Sequence, residues 1–453
     1  MNITIYHTND IHSNFVNMKH IHGYIKQNKT PNDFYFDSGD FTDLSSAVVQ
    51  ADGGISAMKI FEDCQLDAMS LGNNEIDLGL ERLQTLSLSP IPLLSSNITT
   101  NDNEKISGIF PSVILEKACK RFLIIGASPY YSETLKHDAY NLFFNMGNIK
   151  SHDPIPYLKQ EIEANKGNYD FCIFLSHSGI NIDKELLKNI PEIDLCLGGH
   201  SHSVESKGKY SQSGRGEKIG KIVLDVNDDR ISIIENVQID LTYQENKEFD
   251  ILFDKITVHT DRILSLPLPA IRELSFAPYT ESEFINFICD ALLHEYPCDF
   301  AIMHAGIASS NLELPVSKKS LLQTLPSKLN PTLYEISGQA IREAIHQSFD
   351  EKHIHQDGKG AGFRGTTLGV LGFSHNFSID ITNQLILING IELVDTETYT
   401  IITDDYLQRG SGYPSMKVSE EEATFYSPFI RDIVEKHLLN HNIYKSCTIN
   451  RII

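Results

Sequence analysis

Six short apolar runs in the first half of the chain each end in a polar cluster, and this recurrence limits the fold more than any single residue does. Residues 3–7 lead into Thr8-Asn9-Asp10-Ile11-His12, and residues 34–36 into Asp37-Ser38-Gly39-Asp40. Residues 68–70 lead into Leu71-Gly72-Asn73-Asn74-Glu75-Ile76-Asp77, and residues 91–94 into Ser95-Ser96-Asn97. Residues 171–175 precede Ser176-His177-Ser178-Gly179, and residues 193–197 precede Gly198-Gly199-His200-Ser201-His202. Helical spacing falls between some of these runs, at 55–64 and 154–165. Strands alternating with helices predict a layered α/β architecture, in which ligands gather beyond the carboxyl ends of the strands. The polar clusters fall at those ends.

At 453 residues the chain exceeds one comfortable core, so two domains, or three, are expected. Its 41% hydrophobic and 22% charged content is that of a soluble globular protein, and no run of about 18 apolar residues could span a membrane. Met1-Asn2-Ile3-Thr4-Ile5 enters the first strand with no basic or apolar leader pattern; read as the native start, it predicts a cytoplasmic protein. Seven scattered cysteines without a C-x-x-C pair suggest reduced core residues rather than a disulfide framework or a thiolate metal site. A formal charge of −22 disfavours binding to a nucleic-acid polymer. A small anionic substrate stays compatible with it, provided bound cations supply local positive charge.

Carboxylate oxygens and imidazole nitrogens together suit divalent transition ions. Taken singly, Asp40 could close a turn, Asn73 could be a turn residue beside Gly72, and His177 could be a core histidine. Asp-x-His, Gly-Asp, Gly-Asn-x-Glu, a strand-end His and Gly-His-x-His in one order are harder to assign to chance. This ordered set resembles the calcineurin-like metallophosphoesterases. With Thr8-Asn9-Asp10-Ile11-His12, Leu93-Leu94-Ser95-Ser96-Asn97 and Lys218-Ile219-Gly220 it resembles their 5′-nucleotidase / UDP-sugar hydrolase branch, in a cytosolic form reading Gly-Asn-Asn-Glu. The resemblance implies two divalent metal ions, Mn²⁺, Zn²⁺ or Fe. Asp10, His12, Asp40 and His202 would hold one, and Asp40, Asn73, His177 and His200 the other, with Asp40 as the bridge. A metal-bridging hydroxide would then attack a small nucleotide or other phosphoester in line.

At Asn74 most of the family carries a histidine that assists catalysis, and Asp77 matches that histidine's carboxylate partner. An amide donates a hydrogen bond but gives up no proton as a general acid. The expected bias is toward leaving groups that need little protonation, such as the phosphate of a pyrophosphate bond.

The second half is matched by pattern. Phe249, Leu252, Phe253 and Ile256 recur at helical spacing, Thr280-Glu281-Ser282-Glu283 reads as a capping box, and Gly410-Ser411-Gly412-Tyr413-Pro414 completes a series resembling the nucleotidase C-terminal domain. By that resemblance, Phe363 and Tyr406 would clamp a base, and Arg364 and Arg409 would replace a guanidinium missing at Ala308; each could equally be a packing or loop residue. His353 and His355 read as a solvated turn, His7 as a core histidine, and Gly214-Arg215-Gly216 as a hairpin loop. His304 lies where it could face substrate, with nothing to separate that from packing.

The expected organisation is a two-sheet αββα metallophosphoesterase domain over 1–243, a linking helix over 244–262, and a smaller α+β C-terminal substrate-recognition domain over 263–453. Two other readings stay open: a nucleotide-binding or regulatory protein with weakened catalysis, and a metallophosphoesterase for 2′,3′-cyclic nucleotides or a non-nucleotide phosphoester. Oligomeric state is not legible.

Overall fold

The computed structural model describes residues 1–132, 135–227, 230–243, 245–360 and 362–453. Two compact units divide the chain, Met1–Ile263 and Leu264–Ile453.

The first unit is built on a seven-stranded sheet in the order Ile231–Asp240, Lys218–Val226, Asn2–Thr8, Phe34–Asp37, Ala68–Ser70, Leu93–Leu94, Ile109–Phe110. A six-stranded sheet runs Val204–Lys207, Tyr210–Ser213, Leu195–Gly198, Phe171–Ser176, Lys120–Ala127, Ser112–Lys117. Ile3, Ile5, Phe34 and Phe36 from the first pack with Phe122, Ile124, Ile173 and Leu195 from the second. Each such buried side chain contributes roughly 1.5–3 kcal/mol, so this double layer stabilises the unit substantially. Outside it, Leu158 and Ile162 of the helix Pro154–Ala164 and Ile182 and Leu186 of Ile180–Asn189 cover Leu123, Ile125, Cys172 and Phe174. The helix Phe15–Asn28 buries Met18, Ile21 and Ile25, and Ile55–Asp63 buries Met58, Ile60 and Phe61. This is the expected αββα order.

Asn2–Thr8, Phe34–Asp37, Ala68–Ser70 and Leu93–Leu94 are mutually parallel, as are Lys120–Ala127, Phe171–Ser176 and Leu195–Gly198. Parallel pairing aligns their carboxyl ends, so the polar clusters form one rim. The loop at Gly214-Arg215-Gly216 is not a hairpin: the strands before and after it lie in different sheets, and Gly214 O accepts from Asn9 Nδ2 (2.7 Å) beside Asp10.

The helix expected over 244–262 is Lys247–Leu264; the expected start at Gln244 lies outside the described residues. It packs on Phe15–Asn28, with Phe253 against Phe15 (4.6 Å between ring centres) and Phe249 against His22 (5.5 Å). Lys26 reaches Glu248 at 2.9 Å.

The second unit has a five-stranded sheet in the order Leu371–Phe373, Phe300–His304, Thr398–Asp404, Pro331–Ser337, Ala423–Phe425, with a small three-stranded sheet. The helix Glu283–Glu295 buries Phe284, Phe287, Ile288, Ala291 and Leu292 in its core. Ser282 is its N-cap and makes no side-chain cap bond, so the expected capping box does not form; Glu283 instead takes the Arg272 guanidinium at 2.8 Å. Five of the seven cysteines are buried; Cys119 is exposed and Cys298 partly so, and all seven are free. Among the described residues no helix is long and apolar enough to cross a membrane.

Candidate metal centre

Asp10 and His12 follow the strand Asn2–Thr8, Asp40 follows Phe34–Asp37, and Asn73 follows Ala68–Ser70. His177 follows Phe171–Ser176, while His200 and His202 follow Leu195–Gly198. The rim therefore draws its donors from both sheets. Five of the seven adopt left-handed backbone: Asp10 (φ 53°), His12 (47°), Asp40 (55°), His200 (74°) and His202 (51°). Such strain in non-glycine residues persists where the surroundings over-determine it. Here backbone bonds do so, from Asp10 N to Gly39 O (2.9 Å) and from His12 N to Asp40 O (2.8 Å). Gly72 is required, because a Cβ there would run into the Asp40 carboxylate.

Asp10, His12 and His202 converge, as do Asp10, Asp40 and His177, each trio with one donor atom apiece within 4.8 Å of one another. His12 Nε2 lies 3.1 Å from His202 Nε2 and 3.7 Å from both Asp10 Oδ1 and Asp40 Oδ2. His177 Nε2 is 3.3 Å from Asp40 Oδ2, and His200 Nδ1 is 3.1 Å from Asn73 Oδ1. All seven expected ligands thus share one locality.

The remaining bonds orient these donors. Asp10 Oδ2 accepts from Asn9 Nδ2 (2.6 Å) and His200 N (2.8 Å), which leaves Oδ1 for the centre. His177 Nδ1 faces the Ser38 carbonyl at 2.6 Å, turning Nε2 inward. Asp10 Oδ1 and His177 Nε2 are fully buried and have no hydrogen-bond partner. Orphaned buried donors and acceptors are costly, and a divalent cation among O and N ligands is what this pair fits. Burial would lower the His177 pKa, but Asp40 and Asp10 outweigh it and raise it; burial opposes the corresponding fall at Asp40, which His177 brings about. Two negative groups held against a buried imidazole describe a centre prepared for positive charge. Burial, assisted by His177, pushes His200 down to about 4, keeping it neutral as a ligand must be.

Asn74 donates to Asp40 twice, from its backbone N–H to Oδ1 (2.8 Å) and from its amide to Oδ2 (2.7 Å). Asp77 is exposed and closes the short helix Asn73–Ile76. His7 is fully buried between Ser38 and Ser213, and burial pushes it down to about 3, as befits a core histidine.

Sequence reasoning missed two supports. Glu75, the last residue of Gly-Asn-Asn-Glu, is fully buried and accepts from Asp40 N, Gly72 N, Thr42 N and Thr42 Oγ1, each at 2.9 Å. Its place in the motif was the available signal. Tyr140, whose phenol lies 2.5 Å from His200 Nε2, belongs to no motif and gave none.

In the second unit Phe363 and Tyr406 stack on each other, with ring centres 4.9 Å apart, and expose 6% and 1% of their surface. A base between two rings needs about twice the 3.5 Å contact distance, so this pair is closed. His304 is buried beside both rings, with Nε2 3.0 Å from Asp404 Oδ2. Arg409 pairs with Asp405 (2.6 Å), Arg364 is exposed and bonds the Phe363 carbonyl (2.8 Å), and Ala308 lies buried in the core. His353 packs on Tyr413 and His355 stacks on Tyr279; among the described residues neither joins a three-donor group.

Residues 3–204 match the family described as calcineurin-like phosphoesterase, and residues 262–418 the family described as 5′-nucleotidase, C-terminal domain. The chain is a two-domain metallophosphoesterase of the 5′-nucleotidase type. It belongs among metal-dependent phosphoester hydrolases. The phosphoesterase is 24% identical to the uncharacterised metallophosphoesterase YunD of Bacillus subtilis, over 95% of this chain and 98% of that protein. It is 28% identical to the 5′-nucleotidase of Mus musculus, over 44% of this chain and 38% of that protein. Among solved structures, the NAD nucleotidase NadN of Haemophilus influenzae superposes with a TM-score of 0.62 at 15% identity, covering 97% of this chain and 96% of that one. The 5′-nucleotidase precursor of Thermus thermophilus superposes at 0.54 with 14% identity, over 100% and 97%. These likenesses show a shared fold.

Proposed function

We propose that the chain is a di-metal phosphohydrolase of small nucleotides, with Asp10, His12, Asp40 and His202 around one divalent ion, Asp40, Asn73, His177 and His200 around a second, and Asp40 shared. The observation that carries this reading is a pair of buried atoms without a hydrogen-bond partner, Asp10 Oδ1 and His177 Nε2, facing the other donors at the meeting point of five strand-end loops. Mn²⁺, Zn²⁺ or Fe bound there would activate water near neutral pH and neutralise phosphoryl oxygens. The chain's own part is orientation: Asn9 and the His200 N–H fix Asp10, Ser38 O fixes His177, and Asn74 fixes both oxygens of Asp40. Relatives named 5′-nucleotidase support a nucleotide substrate.

Asn74 refines the substrate class. Its amide is committed to Asp40 and can give no proton to a departing alkoxide, so phosphoanhydrides of nucleotides, whose leaving phosphate needs little protonation, are favoured over alkyl monoesters. In the second unit, Phe363 and Tyr406 would take a base after opening by about 2 Å from their closed spacing, and Arg364 and Arg409 would supply guanidinium charge to the substrate. Seven free cysteines support the cytoplasm as the working compartment.

The test is product release with Mn²⁺ present from AMP, ADP, a UDP-sugar and 2′,3′-cyclic AMP, with Asp40→Asn as control. Turnover lost in Asp40→Asn, with ADP or the UDP-sugar ahead of AMP, is expected. AMP well ahead of both overturns the leaving-group reading. No turnover with two ions bound per chain favours a nucleotide-binding protein weakened at Asn74.

A further inference from the structure

We propose that Tyr140 is a positioning residue for His200, an inference that rests on the di-metal reading above. An imidazole that offers Nδ1 to a cation keeps its single proton on Nε2, and that N–H needs an acceptor which also fixes the ring. For His200 the two nitrogens face the two partners that this arrangement would need once a cation takes Nδ1. Nδ1 lies 3.1 Å from Asn73 Oδ1, so two donors assigned to the same ion stand side by side, while Nε2 lies 2.5 Å from the Tyr140 phenol oxygen. The two rings meet edge to face, 5.4 Å between centres and 78° between planes.

The support under Tyr140 is built rather than incidental. The residue precedes the short helix Asn141–Phe144, and its ring stacks on Phe144 (5.8 Å, 27°), which is 1% exposed. Asn141, 2% exposed, donates to Ser151 O (2.8 Å) and accepts from Ser151 N (2.7 Å), pinning the helix to the strand Ile149–Ser151. His177 directs its outer nitrogen to a backbone carbonyl, which no side-chain substitution removes. His200 relies on a phenol, so the affinity of the ion held by Asn73, His177 and His200 is set in part by one hydroxyl on a loop outside every metal motif.

The experiment is Mn²⁺ titration of the metal-free full chain by calorimetry and electron paramagnetic resonance, in wild type, Tyr140→Phe and Asp40→Asn. Phenylalanine keeps the stacking on Phe144 and removes only the hydroxyl. Tyr140→Phe is expected to bind one ion as wild type does and the second about 10- to 100-fold more weakly. In the Co²⁺-loaded protein, the hyperfine-shifted His200 imidazole N–H, protected from solvent exchange in wild type, should exchange rapidly in Tyr140→Phe. A Tyr140→Phe titration superimposable on wild type with unchanged N–H protection overturns the inference, even if the variant is less stable, because Tyr140 is then packing alone. Wild type that takes up fewer than two ions overturns the di-metal reading and this inference together. Loss of uptake in Asp40→Asn with no effect in Tyr140→Phe leaves the former standing and sinks the latter.

Discussion

Asn74 holds Asp40 by both carboxylate oxygens, so its amide orients the proposed bridging ligand where a histidine would offer a proton. Asn74→His should therefore raise AMP hydrolysis relative to ADP hydrolysis, by up to the 10²- to 10⁴-fold that a positioned acid supplies. The ratio of the two kcat/KM values under equal Mn²⁺ reads this directly, and an unchanged ratio refutes it. Glu75 works one step further back: burial, with Asp40 nearby, raises its pKa, and backbone N–H groups of Thr42 and Asp40 pull the other way. Glu75→Gln turns one oxygen of this four-donor cradle into an amide that itself donates. The expected loss is about 2 kcal/mol or more, measured by urea unfolding of the metal-free protein. Residue types at strand ends marked in the sequence the seven candidate donors that the fold brings into one locality. Tyr140 was not, because a lone tyrosine in a loop acquires meaning only when the chain brings it 60 positions onward to His200.

Helices and strands of the second unit meet at Asp290, on Glu283–Glu295, which takes His375 N (2.6 Å) on Oδ1 and Ser446 Oγ (2.5 Å) and Arg451 (2.8 Å) on Oδ2. Arg451 and Asp290 are each 1% exposed, so Asp290→Asn strands a buried cation and should cost about 3–5 kcal/mol. His375 Nδ1 also faces Asp290 (3.2 Å), and this bond raises the imidazole pKa. A pKa raised on folding stabilises below the unfolded value of about 6.5 and loses that contribution as pH rises through the folded value. His375→Gln should thus lower the unfolding midpoint slightly at pH 5.5 and leave it unchanged at pH 9; half-exposure of the side chain limits the effect to under about 1 kcal/mol. Apolar spacing announced the helix at Phe284, Phe287, Ile288, Ala291 and Leu292, but its start was misread, since Glu283 finds Arg272, a partner that local pattern does not reveal. The hairpin expected at 214–216 failed for a related reason: whether two strands pair is decided by neighbours distant in sequence, here Asn2–Thr8 for the strand that follows.

At the scale of the whole molecule each unit carries a core of its own, and the assigned metal ligands all lie in the first. Differential scanning calorimetry should then show Mn²⁺ raising the transition of the first unit while leaving that of the second in place. Ion at 100 times its dissociation constant stabilises by about 2.7 kcal/mol. A uniform shift of both transitions would contradict this. The alternation of apolar runs and helical spacing made the first unit's layers readable. The closed contact of Phe363 on Tyr406 was not, because ring-to-ring distance is set by packing rather than by spacing along the chain. The left-handed backbone at Asp10, His12, Asp40, His200 and His202 bears on design. Transplanting these side chains onto another α/β scaffold would carry over the donors and leave behind the turns that aim them. The unit that can be moved is the set of five loops with their connecting backbone bonds.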